Sequence, residues 1–151
     1  DWADKARSLW LTLNFAGEYS AGEKPVTIRF RKYIPMFPQY RYVTTIEEVR
    51  KKFLEVFSEE FTDKILSQAV ADRDLIEHND NIYVAYKKND GEVSYNSWMH
   101  HVEDDGNGNF TVVMAVRNRS VDDIIYVKLP TGKNAEGKFV FTDYPYWDKS
   151  K

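Results

Sequence analysis

Trp2, Ala6, Leu9, Trp10 and Leu13 recur at the three- and four-residue spacing of one helical face. Gly17 and Gly22 bracket a break after it. In "KPVTIRFRKY" the period changes to two: Val26, Ile28 and Phe30 alternate with Thr27, Arg29 and Arg31, the pattern of one half-buried strand. "IPMFPQYRY" follows, and Pro35 and Pro38 predict an extended loop carrying Met36, Phe37, Tyr40 and Tyr42. The clearest helix start is Thr45-x-x-Glu48, a capping box in which side chains satisfy backbone donors that the first turn leaves free. Ile46, Val49, Phe53, Val56 and Phe57 then form an apolar stripe, continued by Phe61, Ile65, Leu66 and Ala69, with a renewed start expected near Ser58.

From residue 75 the period is that of strands. "LIEH", the turn "NDN" and "IYVAYKK" predict a hairpin, and "NDGE" a second turn. Further strands are expected at 98–102, 110–116, 124–129 and 138–142, separated by turn signals. Neither an internal repeat nor a low-complexity linker interrupts the 151 residues, which suit a single domain spanning residues 1–151. Early helices and late strands predict an α+β fold: N-terminal helices packed on an antiparallel sheet of about five or six strands.

Composition narrows the function classes. The chain has no Cys, which excludes disulfides, thiol catalysis and Cys-ligated zinc. No apolar run approaches the ~20 residues that a membrane-spanning helix needs. The chain opens on Asp1, so a removed export signal or lipid anchor is expected. Net charge is −3, which does not favour nucleic-acid binding, although "RFRKYIPMFPQYRY" interleaves basic and aromatic residues as single-strand binders do. Without an RNP motif beside it, no nucleic-acid partner is expected. Residues 1–52 carry ten Lys/Arg against six Asp/Glu, and residues 53–151 eleven against eighteen. Such asymmetry usually reflects surface solvation; an acidic region that steers a basic partner is the functional alternative.

The stretch "WMHHVEDDGNGNF", residues 98–110, is the place that most resembles an active site. Strand alternation puts Trp98, His100 and Val102 on one face and Met99, His101 and Glu103 on the other, so the two histidines are not expected to share a metal. A calcium loop starting at Glu103 would place Asp105, Asn107 and Gly108 correctly, but Met114 stands where a bidentate Glu belongs. A hairpin tip is therefore expected, with Gly106 and Gly108 supplying positive φ. No nucleophile elbow, phosphate loop or dinucleotide fingerprint occurs, and carboxylate pairs such as Asp72/Asp74 and Asp122/Asp123 fit solvated turns better than acid–base pairs. "NFT" at 109 and "NRS" at 118 match the glycosylation sequon, a short pattern that recurs by chance. No cofactor is implied. Two aromatic and proline-rich clusters, "YIPMFPQYRY" and "FTDYPYW", suit either caps on the core or rings on a contact face.

The order of these pieces resembles secreted bacterial domains of the DL-endopeptidase-inhibitor (IseA-type) family. Phe57, Ser58 and Glu60 match an "F-[ST]-x-E" segment after a helix. Leu75, Ile76, Ile82, Tyr83 and Val84 match a "[LI]-[IV]-x-x-[ND]-[GD]-x-[IL]-Y-V" hairpin, with "NDN" at the turn. Gly137, Lys138 and Phe139 match a "G-K-W-x-[FI]" end, with Phe for Trp. The resemblance covers about residues 1–147. It implies a non-enzymatic, extracytoplasmic protein, secreted or anchored to the envelope, that binds and blocks an NlpC/P60-type peptidoglycan peptidase. No motif carries over an inhibitory loop. The contact residues expected from this chain itself are the turn 103–109, with Glu103, Asp104, Asp105 and Asn107, and the loop 34–42, with Met36, Phe37 and Tyr40. A monomer is expected. The outline is also similar to NTF2-like or cystatin-like cones that bind small ligands; there Trp10, Phe53, Tyr86, Trp98 and Phe110 would line an aromatic pocket.

Overall fold

The computed structural model of the chain describes residues 24–35, 43–86, 97–118 and 123–144, together with Lys5, Ala6 and Leu9. The fold is α+β. Besides the helical Lys5, Ala6 and Leu9, the described residues form two helices, α1 (Ile46–Leu54) and α2 (Glu59–Ala71), and eight strands: β1 (Val26–Ile28), β2 (Arg31–Pro35), β3 (Leu75–His78), β4 (Asn81–Ala85), β5 (Ser97–Asp104), β6 (Phe110–Asn118), β7 (Asp123–Lys133) and β8 (Phe139–Phe141). They form two antiparallel four-stranded sheets, β1-β2-β4-β3 and β5-β6-β7-β8, where one sheet of five or six strands is the sequence expectation. Periodicity marks a strand but carries no information about its neighbours, so the division into sheets is invisible along the chain.

By contact density the chain divides into two compact units, Asp1–Val56 with Thr62–Asn89 and Phe57–Phe61 with Asp90–Lys151. In the first unit the capping box forms: Thr45 Oγ1 accepts from Glu48 N at 3.1 Å. The Glu48 carboxylate reaches back to Thr44, whose Oγ1 lies 3.1 Å away. Val49, Phe53 and Val56 are fully enclosed, as the helical stripe requires, and so are Ile34, Leu75, Ile82 and Val84 of the sheet. The helical Ala6 and Leu9 are buried too. The β3–β4 turn has the expected place; its central residues Asn79 and Asp80 both have positive φ, the geometry that matches the twist of paired strands.

The segment 26–35 departs from expectation. It is a hairpin, not one strand, because the chain reverses at Arg29 and Phe30, with φ of 50° and 70°. Neither is Gly, Asn or Asp, so no turn signal marks the place. Phe30, expected on the buried face, is fully exposed. Ile34 and Pro35, expected in a loop, close β2 opposite Val84 and Tyr83, and Ile34 is buried. Proline is tolerated there because it is the last residue of the strand.

In the second unit Ser58 caps α2, its Oγ accepting from Phe61 N at 3.2 Å, which is the renewed helix start expected there. The preceding Phe57 bridges to Phe141, and Ser58 N donates to Phe141 O at 2.8 Å. Phe57, Phe61, Phe141 and Tyr144 then form one ring cluster with centroids 5.3–6.3 Å apart. At least part of the C-terminal aromatic segment thus belongs to the core. Val112, Val113, Met114 and Ala115 are all buried, so β6 is covered on both faces.

Candidate functional site

The β5–β6 connection is built from local rules. Asp104 Oδ1 accepts from Gly106 N at 2.8 Å, and Asp105 Oδ1 accepts from Asn107 N at 2.8 Å and Asn109 N at 3.2 Å. These side chains imitate backbone turns, while Gly106 and Gly108 take φ of 80° and 82°, where a Cβ carries a steric cost that glycine avoids. The result is an exposed acidic tip held in one shape by its own hydrogen bonds. Asp104, Asp105 and Asn107 are exposed on it, and Glu103 is half-buried at its base.

The histidines correct the alternation argument. The pairing of β5 with β6 shifts register between Met99 and His101: Met99 opposes Met114, yet His101 already opposes Val113. His100 is the extra residue of a bulge, which resets the side-chain alternation. The two imidazoles, expected on opposite faces, lie with centroids 4.9 Å apart. His100 also packs on Tyr126 of β7, 4.9 Å between centroids. His101 Nε2 stands 3.1 Å from Glu103 Oε1, and Lys128 Nζ 3.5 Å from Glu103 Oε2. The His101 hydrogen bond, aided by the Lys128 charge, holds the Glu103 carboxyl below the usual carboxylate range. Among the described residues no group of three His, Asp or Glu stands where it could hold a metal ion.

Around this polar cluster the sheet exposes apolar side chains: Met99, Val102, Ile124, Ile125 and Tyr126. The arrangement suits adhesion. It offers carboxylates for a cationic rim, aromatic and aliphatic surface for packing, and β5 as an edge strand.

Other expected site residues fall elsewhere. Met36, Phe37 and Tyr40 lie outside the described residues, as do Trp10 and the side chain of Trp98. Phe53 is enclosed in the core of the first unit. Phe110 packs against Phe139 in the second, the rings tilted with centroids 4.6 Å apart, and Tyr86 is half-buried in the first. In the first unit a hollow of about 80 Å³ is lined by Arg29, Arg73, Tyr33 and His78, together with Ile28, Ile76 and Glu77. No helix among the described residues is long and apolar enough to cross a membrane. Scans against protein-family models and against curated proteins find no match for this chain.

Two features, one in each unit, escape sequence reasoning. The bulge has no local signature beyond the doubled His. The Arg29–Phe30 turn has none by composition; the signal available was that Lys32 and Tyr33 break the alternation set by Val26 and Ile28.

Proposed function

We propose that this chain is a non-enzymatic, extracytoplasmic protein-binding domain, secreted or anchored to the envelope, that inhibits NlpC/P60-type peptidoglycan peptidases through its acidic β5–β6 tip. The family resemblance in the helix, hairpin and C-terminal motifs supplies the partner class. The observation that carries the reading is the fixed, exposed tip: Asp104 and Asp105 are held by turn hydrogen bonds before any partner arrives, so little ordering entropy is lost on contact. Charge supports it as well. The second unit carries seven Lys/Arg against twelve Asp/Glu, a balance that accelerates encounter with a basic cleft rim. A pocket-binding cone is the less favoured alternative, since the Phe53 ring has no free surface to offer a ligand.

The test mixes the full chain with several NlpC/P60 peptidases and follows release of peptidoglycan fragments. Cleavage should fall as the protein is added; undiminished cleavage at large excess across the set would reject inhibition. If inhibition holds, Asp104→Asn removes a charge while keeping an acceptor for Gly106 N. It should slow association at low salt, by about two- to tenfold, and the difference should shrink as salt rises. An unchanged on-rate would remove the tip from the contact face.

A further inference from the structure

The β1–β2 hairpin breaks local rules that the acidic tip obeys. Arg29 and Phe30 both adopt left-handed backbone, where a bulky residue is an outlier, and the Phe30 ring is fully exposed at the reversal. Violations of this kind concentrate at functional positions. The hairpin is also held firmly. Arg31 donates to the carbonyls of Asp72 and Arg73 at 3.1 and 3.3 Å and to Asp74 Oδ1 at 2.5 Å. Tyr33 Oη donates to Arg73 O at 2.8 Å. The ring is thus presented from a strand clamped to the C-terminal end of α2.

What surrounds the ring indicates its environment. Arg29 and Lys32 are exposed at the same end of the hairpin, and neither pairs with a carboxylate among the described residues. Arg73 borders the same small hollow as Arg29. Of the acids nearby, Asp74 pairs with Arg31, while Glu77 and Asp72 accept from neutral donors, Ile46 N at 2.7 Å and Gln68 Nε2 at 2.9 Å. From residue 24 to residue 46 the chain contains no Asp or Glu at all. Val26, on the edge strand of this sheet, adds exposed aliphatic surface.

We infer that this hairpin tip docks on an anionic phospholipid bilayer, with Phe30 entering the headgroup–acyl boundary and Arg29, Lys32 and Arg73 facing lipid phosphates. A ring joined to basic residues is the combination that interfacial segments use, apolar burial and attraction to acidic lipid acting together. Single-stranded nucleic acid fits less well: it needs several rings laid along a groove, and Tyr33, the next ring in the described hairpin, is buried. The inference is independent of peptidase binding.

The full chain is sedimented with vesicles of phosphatidylcholine alone and of phosphatidylcholine mixed with phosphatidylglycerol. Binding is expected on the mixed vesicles only, weakening as salt rises. Phe30→Ala should weaken it about tenfold, and Arg29→Gln or Lys32→Gln about fivefold each. The Phe30 ring is fully exposed, so its removal does not threaten the fold; a Phe30→Trp variant should bind like the parent and be quenched by brominated acyl chains. No binding, equal binding to both vesicles, or Phe30→Ala binding like the parent would overturn the inference. So would an oligonucleotide that binds with the same dependence on Phe30.

Discussion

The two exposed hairpin tips reverse the chain by opposite means. The acidic tip, residues 104–109, uses the residues its geometry asks for: glycines at positive φ and aspartates that accept from the turn. The basic tip forces Arg29 and Phe30 into the same left-handed region with no such help. What compensates there lies away from the turn, in the Arg31 and Tyr33 bonds to residues 72–74. One tip is locally stable; the other is held from outside. Their charges differ as well. The basic tip belongs to a unit with fourteen Lys/Arg against twelve Asp/Glu, and the acidic tip to one with seven against twelve. The two tips therefore differ both in charge and in what holds them.

The largest effect that would sharpen this contrast is replacement of both glycines of the acidic tip. A Cβ at Gly106 or Gly108 would meet nothing within 4 Å, so the cost is purely conformational. Gly106→Ala with Gly108→Ala should lower the unfolding free energy by about 1–2 kcal/mol per site, read from urea midpoints. At the basic tip the sign should reverse. Phe30→Gly relieves a left-handed Phe whose ring is fully exposed, and should stabilise by about 0.5–1 kcal/mol after glycine's own entropy cost. A destabilised Phe30→Gly would mean that the two tips follow the same rule.

The smallest effect is electrostatic. Because its carboxyl is held below the usual range in the folded state, Glu103 adds stability above its unfolded pKa, near the ordinary 4.5. That contribution is lost as pH falls through the lower folded value. Carbon-detected titration should place the Glu103 carboxyl below free glutamate, and Lys128→Ala should move it upward. No movement would leave His101 as the sole cause.

Much of this fold can be read from the chain, because it follows from local physics. The Thr45–Glu48 cap, the stripe of Val49, Phe53 and Val56, the helix restart at Ser58, and the turns at Asn79–Asp80 and Gly106–Gly108 each need only neighbours within a few residues. The candidate acidic tip was legible for the same reason. The polar cluster behind it was not. His100 and His101 meet because a bulge forms against β6, and a bulge depends on which strand lies opposite.

By itself, then, the sequence determined the class of the fold, the positions of most strands and helices, and the turns whose residues have few other uses. Tertiary structure decided the rest: the pairing of eight strands into two sheets, the reversal at Arg29–Phe30, and the meeting of the two imidazoles. The physical reason is the same in each case. Pairing energies between distant segments outweigh the ~1–2 kcal/mol that a local rule can impose, so a strand pattern bends where its partners require it.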